Sequence, residues 1–476
     1  MLFLAAVCTL LPLAALAVLL AVPGMDRAVM ASPAAHFYAV TLASLLSAAV
    51  CAALVLSARS LRETRILFLA LCFFSLALIF SVHGITTPGH IYHAPSAALQ
   101  RSPWLSTLTA SIFAALSVVS IPRFMERSRF RIADLTFLAI AGLLFAYLGI
   151  SLAFPNWLEG FPTTEAWFRD LLTSITIVLL AFAAWRYFQA YQFARLPGQL
   201  AMALGLVFLI QAQISLNQGE VWYLSWWFYH AFFLVAFVTV LGGWTLEMIR
   251  ARSVKAIAEG LVMRDSLVQL NRGRPDAVVA LADEIESRDP ETFRHVDRVA
   301  SYAYAIGQRM ALGPARLREL VLAAQLHDIG KIGLPAYILA KPGKLTEEEW
   351  WIIKQHPAKG WEIVSRAHRL RSLADIIRHH HERYDGSGYP DALKSEEIPL
   401  EARIISTADA FDAITSERPY RAAMTLADAK AELERVSGSQ LDPDCVTAFL
   451  AVIDEGRLTP ALQREMLADA GRTVPA

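Results

Sequence analysis

The first 250 residues of this 476-residue chain contain no lysine, and only 13 Arg and 9 Asp or Glu. Charge this sparse excludes an ordinary soluble domain over that stretch, since a quarter of a typical soluble chain is charged. The rest of the chain holds the other 30 basic and 34 acidic residues, so a formal net charge of zero conceals +4 followed by −4. Cysteine is scarce too. Cys8, Cys51 and Cys72 lie in apolar runs and Cys445 stands alone, which excludes a disulfide framework and a CxxC metal pair and fits a reducing interior for the second half.

What the first half has is apolar runs about 20 residues long, the length a helix needs to cross a hydrocarbon core of roughly 30 Å. Eight can be drawn: 2–22, 35–57, 66–84, 105–122, 132–154, 171–190, 198–216 and 223–249. Arg59, Arg62 and Arg65 fall in the second connection, Arg123, Arg127, Arg129 and Arg131 in the fourth, and Arg186 and Arg195 in or beside the sixth. Basic loops alternate with poorer ones, which predicts both termini on the cytoplasmic side by the positive-inside rule. Reading the first run as a cleaved signal would leave seven spans and the same C-terminal side. The expected organisation is a membrane domain over 1–249, a connecting helix over 250–275 and a soluble domain over 276–476.

Five histidines, His36, His83, His90, His93 and His230, all map to the outer side of the membrane half. Imidazoles at one depth suit a sensed metal, haem or proton; the alternative is that histidine tolerates interfaces and short loops. Trp222, Trp226, Trp227 and Tyr229 on the same face read as an interfacial aromatic belt. Beyond the last run, Val254, Ile257, Leu261 and Val268 share one seam. A short coiled coil pairing two chains is one reading, an amphipathic spacer interrupted by Arg264 the other.

The second half concentrates potential ligands. Within about 120 residues stand Glu291 and His295, His327 and Asp328, His356, His379, His380 and His381, then Asp409 and Asp412. Histidine and carboxylate without thiolate suit iron or manganese, and more than four such groups suggest more than one ion. The four-residue step from Glu291 to His295 puts both on one helical face, with Val299, Tyr302 and Ile306 as an apolar stripe. A second periodic stretch over 317–326 ends in His327-Asp328-Ile329-Gly330-Lys331, and Thr346 with Glu349 forms a capping box for a helix leading to His356.

The blocks ETFRHVDRV (291–299), LHDIGKIGLP (326–335), AKPGKLTEEEW (340–350), HPAKG (356–360), HHERYDGSGYP (380–390), IPLEARI (398–404) and ADAFDAITSERPYR (408–421) resemble the HD-GYP family of cyclic di-GMP phosphodiesterases, a branch of the HD phosphohydrolases. The resemblance spans about 276–460 and implies an all-helical HD bundle; with the apolar runs, which resemble no family, the expected fold is all-α, a polytopic helical membrane domain of about eight spans followed by that bundle. It assigns Glu291, His295, His327, Asp328, His356, His380, His381 and Asp409 as ligands of two or three divalent ions, iron or manganese, with Glu291 favouring the larger cluster. Two such ions would hold and activate the attacking water, with Asp328 as the carboxylate expected to bridge them, and Lys331, three residues on, would neutralise phosphoryl oxygens. Tyr389 of the Gly386-Ser387-Gly388-Tyr389-Pro390 loop would stack on a guanine, and Arg418 and Arg421 match phosphate-holding positions, the second usually a lysine. His379 is extra to the ligand set and His368 matches nothing. Phe293, Asp391 and Ser395 stand where the family usually has glycine.

The implied activity is hydrolysis of cyclic di-GMP to the linear dinucleotide pGpG and/or GMP by a membrane-bound signalling enzyme, regulated through its membrane domain. The implied setting is a bacterial-type inner membrane, with the catalytic domain cytoplasmic. Its partners would be the cyclic dinucleotide, the bilayer and a second copy of the chain, with no DNA or RNA polymer. Two other readings keep the fold: a non-hydrolysing cyclic-dinucleotide receptor or interaction platform, and an HD hydrolase of another nucleotide, hybrid cyclic dinucleotides included. No segment resembles a diguanylate cyclase or a receiver domain.

Overall fold

A computed structural model of the chain describes residues 2–22, 24–28, 31–61, 64–89, 92–119, 129–163, 165–251, 278, 281, 290–339, 341, 343–368, 370–416 and 423–456. The chain divides into two compact units, Met1–Gln269 and Leu270–Ala476. Among the described residues both are helical, and extended pairing is limited to three isolated bridges.

Among its described residues unit 1 contains eight long helices: α1 (Leu2–Ala21), α2 (Pro33–Leu61), α3 (Thr64–Ile85), α4 (Ala97–Val118), α5 (Arg129–Ala153), α6 (Ala166–Ala194), α7 (Pro197–Gln218) and α8 (Leu224–Ala251). Six are long and apolar enough to cross a membrane: Pro33–Leu56, Thr64–Ile85, Asp134–Ala153, Ala166–Ala194, Pro197–Gln218 and Leu224–Ile249. The count of about eight is therefore approximate. Among the fully described residues, helix α1 contributes the apolar stretch Leu10–Ala21. Helix α4 starts eight residues before the apolar run expected at 105, and its early turns carry Gln100, Arg101, Ser102, Ser106 and Thr107. Arg101 is buried there because loop carbonyls satisfy it, Nε donating to Phe161 O (3.0 Å) and Nη2 to Glu159 O (2.9 Å).

With lipid as apolar as the side chains, helices of this kind associate by close packing and internal hydrogen bonds. Both devices are present. A Cβ on Gly243 of α8 would lie 2.1 Å from that of Ala201 on α7, so glycine permits the close approach. Thr107 of α4 donates to Gln213 Oε1 of α7 (2.7 Å), whose amide donates to Thr173 of α6 (3.2 Å). Glu247, buried on α8, accepts from the backbone N–H of Gly198 (2.8 Å) in the first turn of α7, the end of a helix where a carboxylate is favoured.

Unit 2 is built from α9 (Pro290–Arg309), α10 (Pro314–Leu326), a 3₁₀ turn (Ile329–Gly333), α11 (Ala336–Leu339), α12 (Glu347–Ile353), α13 (His356–Arg366), α14 (Ala374–Arg378), α15 (Leu400–Thr415), α16 (Leu426–Val436) and α17 (Pro443–Asp454). The stripe expected on α9 is buried as Val299, Tyr302 and Ile306, and Tyr302 meets Phe411 of α15 edge-on at 5.2 Å, which in turn meets Phe449 of α17 at 4.8 Å. Burying a side chain of this size contributes about 2 kcal/mol, so the three rings tie together the helices that carry His295 and Asp409. The capping box forms as expected: Glu349 N–H donates to Thr346 Oγ1 (3.3 Å) and Thr346 N–H to Glu349 Oε2 (2.7 Å). The helix it starts ends at Ile353, and His356 opens a new one, with Pro357 in its first turn.

Candidate metal centre

The potential ligands lie less on helices than at their ends. His295 and Asp409 are within α9 and α15. His327 follows the last residue of α10, Asp328 precedes the 3₁₀ turn, His356 is the first residue of α13, and His380 and His381 follow α14. Each helix end leaves carbonyls without intrahelical partners, and the histidines use them. His327 Nδ1 donates to Ala324 O (2.8 Å), His356 Nδ1 to Ile353 O (2.8 Å) and His380 Nδ1 to Ile377 O (2.7 Å), always three residues back. A carbonyl only accepts, so the ring proton is on Nδ1 and the Nε2 lone pair is free to bind an ion, the arrangement that second-shell contacts impose on metal-binding imidazoles.

These Nε2 atoms converge on Asp328. His356 Nε2 is 3.3 Å from Asp328 Oδ1 and 3.3 Å from His380 Nε2, and His327 Nε2 is 3.6 Å from Asp328 Oδ2. Three ligand sets emerge, each with its atoms within 4.8 Å of one another: His327, Asp328 and His380; His356, His380 and His381; and His295, His327 and Asp409. His327 and His380 each recur, so the sets are contiguous, and the donors fit more than one ion. Nitrogen and oxygen donors of this kind suit iron, manganese and other divalent metals.

The electrostatics are those of a site built for cations. Burial opposes ionisation of Asp328 and Asp409, yet Lys331 with the surrounding histidines holds the first, and His295 with His327 and His381 the second, well below the ordinary carboxyl range. Burial, then its neighbours beginning with His381, pushes the His380 pKa far down; burial, then His356, pushes that of His381 down to about 3. Both rings are therefore neutral ligands at pH 7. His295 differs: burial would lower it, but Asp409 and Asp412 raise it to about 9. Taking a metal at that ring displaces a proton.

Two groups outside the expected ligand set support His295. Asp412, one turn beyond Asp409 on α15, accepts from His295 Nδ1 (2.7 Å) and from Arg298 Nε (2.6 Å) and Nη2 (3.0 Å). Their signal in the sequence is spacing alone: Asp412 follows Asp409, and Arg298 follows His295, by three residues. Lys331 Nζ donates to Asp328 Oδ2 at 2.6 Å, so its ammonium lies at the cluster. Tyr389 packs its ring 5.1 Å from that of His381, its N–H donating to His381 O (3.3 Å), with Lys354 5.6 Å above the ring. Burial, then Asp328 and Asp409, pushes the Tyr389 pKa upward, so the phenol keeps its proton.

The loop bearing Tyr389 needs its glycines, for Gly386 has φ +84° and a Cβ on Gly388 would lie 2.2 Å from Arg383 N. The departures at 391 and 395 have structural accounts. Asp391 accepts from Arg378 Nε (2.6 Å) and Nη2 (2.8 Å) and pairs with His379 Nε2 (2.9 Å), so the extra histidine anchors the loop instead of joining the cluster. Ser395 has φ +51°, the region glycine favours. The side chains of Glu291 and Phe293, and all of Arg418 and Arg421, lie outside the described residues.

In unit 1, His36, His83 and His230 come together as a buried cluster, His93 is exposed, and His90 lies outside the described residues. Trp226 and Tyr229, expected in an interfacial belt, are buried against this cluster.

Residues 279–445 match the family model of the HD domain. Similar proteins include a cyclic di-GMP phosphodiesterase of Thermotoga maritima, 46% identical over 182 residues, which are 38% of this chain and 49% of that one. A cyclic di-GMP phosphodiesterase response regulator of Xanthomonas campestris is 42% identical over 205 residues, 42% of this chain and 54% of that one. A 3'3'-cGAMP-specific phosphodiesterase of Vibrio cholerae is 42% identical over 172 residues, 36% of this chain and 37% of that one. The chain thus spans about half the length of the first two relatives and less of the third. The match and the geometry coincide on one segment: residues 279–445, which match the HD domain, include His295, His327, Asp328, His356, His380, His381 and Asp409.

Proposed function

We propose that the chain is a membrane-bound phosphodiesterase that hydrolyses cyclic di-GMP to pGpG and/or GMP, regulated through unit 1. The observation that carries this reading is the convergence of imidazoles, their Nδ1 protons committed to backbone carbonyls, on the ionised carboxylate of Asp328. The ligands would be His295, His327, Asp328, His356, His380, His381 and Asp409, with Glu291 completing the set, for two or three ions of iron or manganese. Ions bound there would supply Lewis acidity toward phosphate oxygens and a water acidic enough to attack at neutral pH.

The chain's own residues do the rest. Asp328 and Asp409 bring the negative charge that lets several cations share one site. Lys331, beside Asp328, is placed to take up charge developing on the phosphoryl oxygens as its carboxylate turns to an ion. Tyr389, protonated and packed on His381, offers a ring face and a hydroxyl to a guanine, and Arg418 and Arg421 are assigned to substrate phosphate. The arginine-rich even-numbered connections of unit 1 support a cytoplasmic position for unit 2, on the inner membrane. A hybrid cyclic dinucleotide is the second reading, favoured by a cGAMP-specific relative as identical in sequence as one of the cyclic di-GMP enzymes.

The test is anaerobic purification of the full-length protein in nanodiscs, metal counting, and chromatography of cyclic di-GMP and 3'3'-cGAMP digests. Two or three iron or manganese ions with turnover of one or both substrates are expected, with His327→Ala and Asp328→Ala each losing iron or manganese and more than roughly 100-fold in rate, the scale of removing electrostatic stabilisation. Full metal loading with neither substrate consumed would refute the hydrolase reading in favour of a receptor.

A further inference from the structure

We propose that unit 1 holds a second metal centre, a single zinc or copper ion bound by His36, His83 and His230. The three side chains come from α2, α3 and α8 and are 2%, 6% and 3% exposed. One ligand atom from each lies within 4.8 Å of the others.

Their tautomers are fixed by the surroundings. His83 Nδ1 donates to Leu99 O (2.7 Å) and His230 Nδ1 to Trp226 O (3.1 Å), and carbonyls leave no alternative. His36 Nδ1 is 2.9 Å from Thr87 Oγ1, and with the Thr87 hydroxyl donated to His83 O (3.1 Å) His36 Nδ1 is the donor there as well. In that arrangement all three rings carry their proton on Nδ1 and present a bare Nε2.

Two of those lone pairs face each other. His36 Nε2 and His83 Nε2 are 2.9 Å apart, and His230 Nε2 is buried with no hydrogen-bond partner among the described residues. Lone pairs at this separation repel, and an orphaned buried nitrogen forfeits its hydration, so the arrangement calls for an electron-pair acceptor between them. An ion with Zn–N bonds of about 2.0–2.1 Å sets two tetrahedral ligand nitrogens roughly 3.3 Å apart, a few tenths of an ångström wider than the spacing seen. Imidazole donors without thiolate or carboxylate suit zinc or copper, and three ligands leave a fourth position for water or an exogenous anion. Phe80, Trp226 and Tyr229 pack on the rings. Nδ1 contacts to carbonyl and hydroxyl oxygens are the outer-shell pattern that orients metal-bound histidine.

The test uses the full-length chain in nanodiscs, stripped with a chelator, reloaded with zinc alone and desalted before counting. Wild type should retain one equivalent more than His230→Ala and than His230→Phe, which fills the same space with a ring that cannot ligate; His36→Gln should match them. Ions held by unit 2 are common to all four proteins and cancel. The same difference of one should persist when each is combined with Asp328→Ala, which separates this centre from the HD site. Equal zinc in wild type and in the monodisperse variants would overturn the proposal and leave a proton shared by His36 and His83 as what separates the lone pairs.

Discussion

Asp412→Ala separates the positioning of a ligand from ligation itself, because Asp412 contacts His295 and Arg298 while Asp409 faces the cluster. The Asp412 side chain is 2% exposed and accepts three short hydrogen bonds. Truncation leaves the His295 Nδ1 proton without its acceptor and the Arg298 guanidinium without that carboxylate. Breaking a fully buried pair costs about 3–5 kcal/mol. Arg298 is 22% exposed and also donates to Ser416 Oγ (3.1 Å), so water and the hydroxyl recover part of this, and about 2–3 kcal/mol is the expected loss of stability. Loss of an outer-shell partner lowers metal affinity by about 10–100-fold. Calorimetric melting of the chelated full-length protein measures the first effect, and manganese titration against a competing chelator, well below the melting temperature, measures the second. Asp412→Asn, which keeps one acceptor oxygen, should fall between wild type and alanine in both. Wild-type manganese affinity in a folded Asp412→Ala protein would refute the reasoning, since His295 would then need no outer partner to bind.

Three further outcomes follow from the same contacts. Gly330→Ala puts a Cβ 1.9 Å from His356 O and 2.6 Å from Gly360 N, backbone that cannot swing away, so about 3 kcal/mol of destabilisation and loss of bound metal are expected, read by melting and metal content; a wild-type melt would show that α13 can shift. In the metal-free chain His295 titrates at about 9 against roughly 6.5 when unfolded, so its stabilisation, on the order of 3 kcal/mol, is fully present below about pH 6.5 and lost as pH rises through 9. Melting temperature of the chelated protein should fall across that window and the fall should vanish on metal loading; a flat chelated profile would count against the Asp409 and Asp412 contacts. Ser395→Gly relieves a left-handed conformation and should raise stability by about 0.5–1 kcal/mol, measured by the same melts, with no change in metal content.

The residues that cluster around Asp328 were legible in the sequence because they sit in short blocks whose local spacing is itself structural: His327 and Asp328 at a helix end, Thr346 and Glu349 as a cap, the glycines around Tyr389. The contacts that fix the imidazoles were not legible. A carbonyl three residues back is present in every helical sequence, and only the end of the helix, set here by Ile353 and Arg378, frees it for a side chain. Asp391 shows the converse, a residue that looks like a loss of loop freedom until Arg378 and His379 appear on the other side of it. The apolar runs gave eight helices, but hydropathy could not reveal that α4 begins early with a buried arginine, because the partners of Arg101 are carbonyls near residue 160.

The two histidine clusters share one construction and differ in charge, and the difference decides what each can hold. Around Asp328 the imidazoles are interleaved with carboxylates kept ionised by their neighbours, so added cations meet compensating charge and more than one fits. His36, His83 and His230 bring only neutral nitrogen atoms into an apolar bundle. An uncompensated charge is expensive there, and each further cation would raise the cost without adding a ligand, which limits the site to one ion and favours an anion in its open position. The sequence signal follows the same division. A centre that includes carboxylates is assembled from neighbouring blocks within about 120 residues, whereas the membrane centre joins residues 36, 83 and 230 across three helices, where no spacing rule links them and only the packed bundle brings the three imidazoles together.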